Sequence, residues 1–113
     1  MSTIHNFDEV LGDTFQATLT FVDSAGAAED HSGSTWRGQV KTSPDSASSA
    51  ASMSFNTDNA ASGTVVATIA AATTAALTAG TVYYYDIEET TSTSAVVTHL
   101  TGRIVWRQDV SRA

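Results

Sequence analysis

Thr14-Phe15-Gln16-Ala17-Thr18-Leu19-Thr20-Phe21 sets an apolar side chain at every odd position and a polar one at every even position. A period of two belongs to a strand with one buried face, because successive side chains point to opposite sides of a pleated backbone. The same period recurs along the rest of the chain. In 35–42, Trp36, Gly38 and Val40 alternate with Arg37, Gln39 and Lys41. Met53 and Phe55 alternate with Ser52, Ser54 and Asn56, and Val65, Ala67 and Ile69 fall in step within 64–70. Tyr83, Tyr85 and Ile87 alternate with Val82, Tyr84 and Asp86, and 95–106 reads as one long or bent strand with its bend or bulge at Gly102.

Between these runs lie clusters of Gly, Ser, Thr, Asn and Asp at 23–34, 43–49, 57–63 and 89–94. Such residues favour turns, since their short polar side chains bond to nearby backbone and Gly tolerates positive φ. No segment demands a helix. The alanine-rich run 70–77 is compatible with one helical turn, with its threonines as weak support. The expected fold is an all-β, Ig-like or Greek-key sandwich of about seven strands. A single domain over 12–113 follows an N-terminal segment, 1–11, that is either a short arm or an extra strand. In that segment Ile4, Phe7, Val10 and Leu11 require burial.

Leu77, Gly80 and Tyr83 have the spacing of the corner at which Ig-like and fibronectin-type chains cross between sheets, where the tyrosine hydroxyl bonds back to the backbone. Tyr83 is read as structural on that basis.

Composition excludes several classes of function. The 113 residues contain no cysteine, which removes disulfides, thiolate metal sites and thiol nucleophiles. Twelve acids against 5 bases give a net charge of −7, and Arg37, Lys41, Arg103, Arg107 and Arg112 are scattered. A protein that neutralises phosphates needs clustered bases, so no nucleic-acid partner is expected. The acidic N-terminus is unlike a signal peptide, and the weakly polar stretch 64–79 is too rich in Ala and Thr for a membrane span. A soluble protein without a membrane partner is expected.

No catalytic constellation emerges. His5, His31 and His99 share no short ligand spacing, and Glu29-Asp30-His31 is the nearest approach to a cation site, in a loop where acids are ordinarily solvated. His99 is expected to face water or a neighbouring subunit. Glu88 and Glu89, as adjacent strand residues, point to opposite faces and cannot act on one substrate atom. Asp86 is expected at the surface or in an ion pair with Arg103 or Arg107. The glycines stand singly and no Gly-x-Ser-x-Gly elbow occurs, so no phosphate cradle or serine nucleophile is expected. No enzyme, cofactor or metal follows from this sequence. Trp36 is expected in the core, while Trp106, between Arg103 and Arg107, suits core and interface equally well.

Several ordered segments resemble a family of small phage structural domains, similar to the N-terminal domain of baseplate upper proteins. These are Gly12-Asp13-Thr14-Phe15, the run from Asp30 through Trp36-Arg37-Gly38 to Lys41, Leu77 to Ile87 with its Tyr-Tyr-Asp-Ile ending, Leu100 to Trp106, and Asp109-Val110-Ser111-Arg112. The family commonly has Asp-Leu-Thr-Gly where this chain has Asp30-His31-Ser32-Gly33, and the serine-rich 43–54 is unusual for it. The resemblance implies an Ig-like sandwich and a virion role for a chain made in the host bacterial cytoplasm. The expected function is a non-enzymatic adaptor in the baseplate, tail or head-to-tail region. Its partners would be other virion proteins (tail, portal or connector, or capsid subunits), met as a symmetric homo-oligomer. A capsid decoration protein or head-fibre base is an alternative. Another is a carbohydrate- or receptor-binding module using Tyr83, Tyr84, Tyr85, Trp36 or Trp106.

Overall fold

A computed structural model describes residues 3–108. The larger sheet contains β1 (Thr3–Ile4), β2 (Phe7–Val10), β4 (Thr35–Lys41), β5 (Ala51–Ser52), β8 (Val82–Thr90) and β9 (Val96–Arg107). The smaller is built from β3 (Phe15–Thr20), β6 (Ser54–Asn56) and β7 (Thr64–Ile69). Strand order is β1-β9-β8-β4-β5, with β2 also on β9, against β3-β7-β6. This is the Ig-like Greek-key sandwich expected from the alternating pattern.

The two inner faces follow the period of two. Phe15 and Leu19 from β3, Val65, Ala67 and Ile69 from β7, Val40 from β4, Tyr83, Tyr85 and Ile87 from β8, and Ile104 and Trp106 from β9 are all buried. Trp106 is fully enclosed and meets Phe15 and Tyr83 edge-on, with ring centroids 6.4 and 5.6 Å away. Trp36 is only half-buried, at the opposite end of the sandwich. The aromatic expected to be central is thus peripheral, and the one flanked by arginines is central. The arginines sit outside because Trp106 occupies the inward phase of β9, and Arg107 the outward one.

Three local features depart from simple alternation. The expected single strand around Met53 is two strands. Ser52 and Ala51 pair with Gln39 and Val40 in the larger sheet, whereas Ser54 to Asn56 pair with Thr68 to Val66 in the smaller. Met53 is the crossing point, buried, with its N–H bonded to the Gly38 carbonyl at 2.8 Å. A Cβ at Gly38 would stand 2.7 Å from the Met53 sulfur and 3.1 Å from its Cβ and Cγ, so a larger residue there would have to push the Met53 side chain aside.

Next, Thr3–Val10 takes the role of extra strand, not of a free arm. β1 and β2 run parallel to β9, in register Thr3↔Leu100 and Phe7↔Ile104, as two pieces of one edge strand interrupted at His5 and Asn6. Phe7 packs against Phe15 and Tyr85 at 5.0 and 5.6 Å, which satisfies the burial that its apolar character required.

Finally, the register of β9 shifts at His99 and not at Gly102. Ile87 faces Leu100 while Glu88 faces Thr98, leaving His99 as the extra residue of a bulge. Gly102 serves a different purpose: a Cβ there would fall 2.1 Å from the His5 carbonyl oxygen, so the glycine lets the edge strand approach.

Between β7 and β8 the chain makes one short helix, α1 (Ala71–Ala75), and then the corner. The Thr78 N–H donates to the Tyr83 hydroxyl at 2.8 Å, the tyrosine-corner bond that the Leu77, Gly80, Tyr83 spacing predicts. α1 is tied down by the buried Thr74 hydroxyl, which donates to the Asp13 carbonyl at 2.8 Å and accepts from the Gly12 N–H at 3.2 Å.

Candidate functional site

The densest polar cluster among the described residues surrounds Glu89. The sequence pattern suggests a loop from this residue onward, but β8 continues to Thr90, and Glu89 extends the inward phase of Tyr83, Tyr85 and Ile87. Its side chain is therefore driven into the sandwich, leaving the residue 2% exposed. Glu88, one residue earlier, lies on the outer face opposite Arg37, as alternation requires.

A buried carboxylate survives only with donors around it. The bulge supplies one. In a regular ladder His99 would point outward, but the extra residue resets the phase of β9 and turns the imidazole inward. His99 Nε2 then donates to Glu89 Oε1 at 2.7 Å. The 23–34 loop supplies two more donors: His31 Nδ1, 2.6 Å from Glu89 Oε2, and the Ser34 hydroxyl, which donates to the same oxygen. On its far side, His31 Nε2 stands 3.1 Å from Glu29 Oε1.

These partners fix the charge state. Both nitrogens of His31 meet carboxylate oxygens, which only accept, so both must carry protons and the ring is an imidazolium. Burial works against that charge, but the hydrogen bonds and charges of Glu89 and Glu29 outweigh it and raise the His31 pKa above its ordinary 6.5. For Glu89, burial favours the neutral acid. The bonds from His31, Ser34 and His99 nevertheless prevail and lower its pKa below 4.5.

Aromatic rings wall the cluster. Phe21 lies 4.5 Å from the His31 ring and 4.7 Å from that of His99, and Trp36 stacks on His99 at 5.7 Å. A cation held over aromatic faces gains electrostatic stabilisation. The arrangement locks the 23–34 loop to β8 and β9. Within it the Ser34 hydroxyl donates its hydrogen bond to a carboxylate oxygen that also meets His31. Among the described residues no group of three or more His, Asp or Glu is disposed to hold a metal ion.

The other candidates disperse. Asp30 is exposed and accepts from the Ser32 N–H at 2.9 Å, so the Glu29-Asp30-His31 triplet divides, with two members turned to the cluster and one to solvent. His5 is exposed and lies edge-on to Phe7 at 4.4 Å. Asp86 forms no ion pair with Arg103 or Arg107 among the described residues. It lies on the outer face between Gln39 and Thr101, one row along from Arg103, whose cross-strand neighbour is Tyr84. A shallow groove on that face is lined by Gln39, Lys41, Tyr84, Asp86 and Thr101. Tyr83, Tyr85 and Trp106 are buried, which leaves Tyr84 and part of Trp36 as exposed aromatic surface. Arg112 and the 109–112 stretch lie outside the described residues.

Sequence reasoning missed His99 and Glu89 as partners. The signal that was present is the unbroken odd phase from Tyr83 to Glu89. The bulge that turns His99 inward has no local signature. Compared with protein-family models and with curated proteins, the chain matches none. No helix among the described residues is long and apolar enough to cross a membrane.

Proposed function

We propose that this chain is a non-enzymatic structural subunit of a tailed-phage virion, an adaptor in the baseplate, tail or head-to-tail region that acts through its sheet edges and faces. The observation that carries this reading is the direction of its polar chemistry. The Glu89 cluster spends its donors and acceptors on itself, and what the domain offers outward is strand edge and flat sheet. Open edges recruit neighbouring strands, which suits a part made to be assembled. The phage component of the proposal is supported by the ordered segments that resemble baseplate upper proteins. They supply the opening of β3, the whole of β4 with the loop before it, the corner with most of β8, and the second half of β9.

Quantitative mass spectrometry of purified particles from the source, normalised to the major capsid protein, tests this. A copy number on the order of ten, as low rotational symmetry requires, supports a tail or connector adaptor. Hundreds of copies would make it a capsid decoration protein, and absence from particles would refute the virion role.

A second reading draws on the outer face of the larger sheet, where Tyr84 lies between Lys41 and Arg103 beside Asp86. A flat aromatic flanked by hydrogen-bonding side chains is a sugar platform. A glycan-array signal abolished by Tyr84→Ala would favour a carbohydrate- or receptor-binding module over an adaptor.

A further inference from the structure

We infer that two copies of this chain join edge to edge through β3, antiparallel about a two-fold axis at Thr18, to make one continuous sheet from the two smaller sheets. The inference rests on the reading of the chain as a self-associating structural subunit and names the surface that does it.

The sandwich has four sheet edges, and sheets guard such edges by shortness, irregularity or charge. β5 has 2 residues and β6 has 3. The β1–β2 edge is interrupted at His5 and Asn6 and carries Asp8 and Glu9. β3 has none of these protections. Its 6 residues, Phe-Gln-Ala-Thr-Leu-Thr, run in unbroken register with β7 and include neither proline nor charge.

The free side of β3 is also identifiable by residue. The Phe21 N–H donates to the Gly63 carbonyl at 2.7 Å, continuing the β3–β7 ladder by one step. Alternate residues of an antiparallel strand direct their backbone groups to the same neighbour. Odd-numbered residues thus bond to β7, and Gln16, Thr18 and Thr20 aim their N–H and C=O away from it. All three are exposed, and β3 pairs with no strand but β7 among the described residues.

Charge selects the occupant. The chain carries a net charge of −7, yet β3, β6 and β7 contain no ionisable residue. Two copies repel where their acids meet, and β3 itself brings none to the contact, since the nearest acids in the chain, Asp13 and Asp23, lie beyond its ends. The register is self-consistent as well. Pairing Thr18 with its own copy sets Gln16 against Thr20 and Ala17 against Leu19, so outward residues meet outward and core residues meet core. All three outward-directed residues then bond, giving about six backbone hydrogen bonds.

The experiment is sedimentation equilibrium on the full chain, with three variants. The wild type is expected to form a dimer. Thr18→Pro removes an N–H that β7 does not use, so the fold should persist by circular dichroism while the dimer Kd rises roughly tenfold or more. Thr18→Lys sets like charges face to face at the axis without altering the backbone, and should weaken the dimer similarly. Thr18→Cys, in a chain with no other cysteine, should oxidise to a covalent dimer far more readily than Gln16→Cys. A wild type that stays monomeric up to millimolar concentration, or a dimer indifferent to both Thr18→Pro and Thr18→Lys, overturns the inference. The virion role is tested separately. A monomer found in particles removes the β3 contact and keeps that role, and a Thr18-dependent dimer missing from particles does the reverse.

Discussion

The Tyr85 hydroxyl donates a 2.6 Å hydrogen bond to the carbonyl of His5, 80 residues away, and so ties the N-terminal edge strand to the middle of the larger sheet. Burial holds the Tyr85 pKa at about 12, which keeps the hydroxyl protonated and donating. The same carbonyl sits where a Cβ of residue 102 would be, so Gly102→Ala must displace His5. That substitution should cost about 1–3 kcal/mol, the usual range for overpacking. It should also raise amide hydrogen exchange across Thr3–Val10 more than across β7. Tyr85→Phe should give a smaller loss of about 1 kcal/mol with the same regional pattern. Equal exchange in both regions would show that the N-terminal strand is not a separately tethered element.

The Glu89 cluster predicts a stability optimum in mildly acidic solution. Glu89 is depressed below 4.5 in the folded state, so its contribution is present above that value and is lost as pH falls through the folded pKa. His31 is raised above 6.5, so its contribution is complete below 6.5 and is lost as pH rises through its folded pKa. Both act together between about 4.5 and 6.5. Urea denaturation across pH 4 to 9 should show the maximum in that window, and Glu89→Gln should flatten the profile on both sides. Glu89→Ala, which strands His31 and His99, should cost about 3 kcal/mol. That is the lower end for breaking a buried pair, because the His31 imidazolium can shed its proton. An unchanged pH profile in Glu89→Gln would place the dependence elsewhere.

How far the sequence reveals this fold depends on how local each cause is. The inward phases of β3, β4, β7 and β8 are written in side-chain alternation, and the Tyr83 corner in its own spacing, so these elements follow from neighbours in sequence. Met53 looks like the middle of a strand because crossing between sheets preserves alternation, and only the pairing partners reveal the break. The Glu89 site depends on a register shift between β8 and β9 together with a loop folded back over 58 residues to bring His31 to Glu89. A polar residue in the inward phase was visible at Glu89. The identity of its partners was not, since they are selected by tertiary pairing. Trp36, expected in the core, lies half-buried at its rim, and Trp106, left open between core and interface because arginines flank it, is placed inside by alternation alone.

The two tryptophans should differ sharply on truncation. Trp106 is 0% exposed and contacts both sheets, so Trp106→Ala opens a large cavity and should cost about 3–5 kcal/mol, sufficient to unfold a marginal domain. Trp36 is half-buried at the rim, and Trp36→Ala should cost less, on the order of 1–2 kcal/mol. Its loss also uncovers the His31 ring, whose centroid lies 6.0 Å away, so that variant should alter the neutral limb of the pH profile. Chemical denaturation of both proteins in parallel measures the difference. Equal losses would mean that Trp36 is as integral to the core as Trp106.

Tyr83→Phe isolates the corner from the core. The ring stays in place against Trp106 at 5.6 Å, and only the hydroxyl that accepts the Thr78 N–H is removed. Thr78 is exposed, so its N–H can turn to water and the loss should be modest, about 1 kcal/mol. The corner joins two sheets through a short connection whose other anchor is the 2.9 Å bond from the Gly80 N–H to the Trp106 carbonyl. Loosening it should act on the crossing and spare the strands. Exchange should accelerate at 77–81 with β8 protection retained, and the unfolding slope with denaturant should not change. A loss of several kcal/mol with collapse of β8 protection would instead mean that the hydroxyl organises the strand itself, and that the corner is a folding determinant, not a clasp.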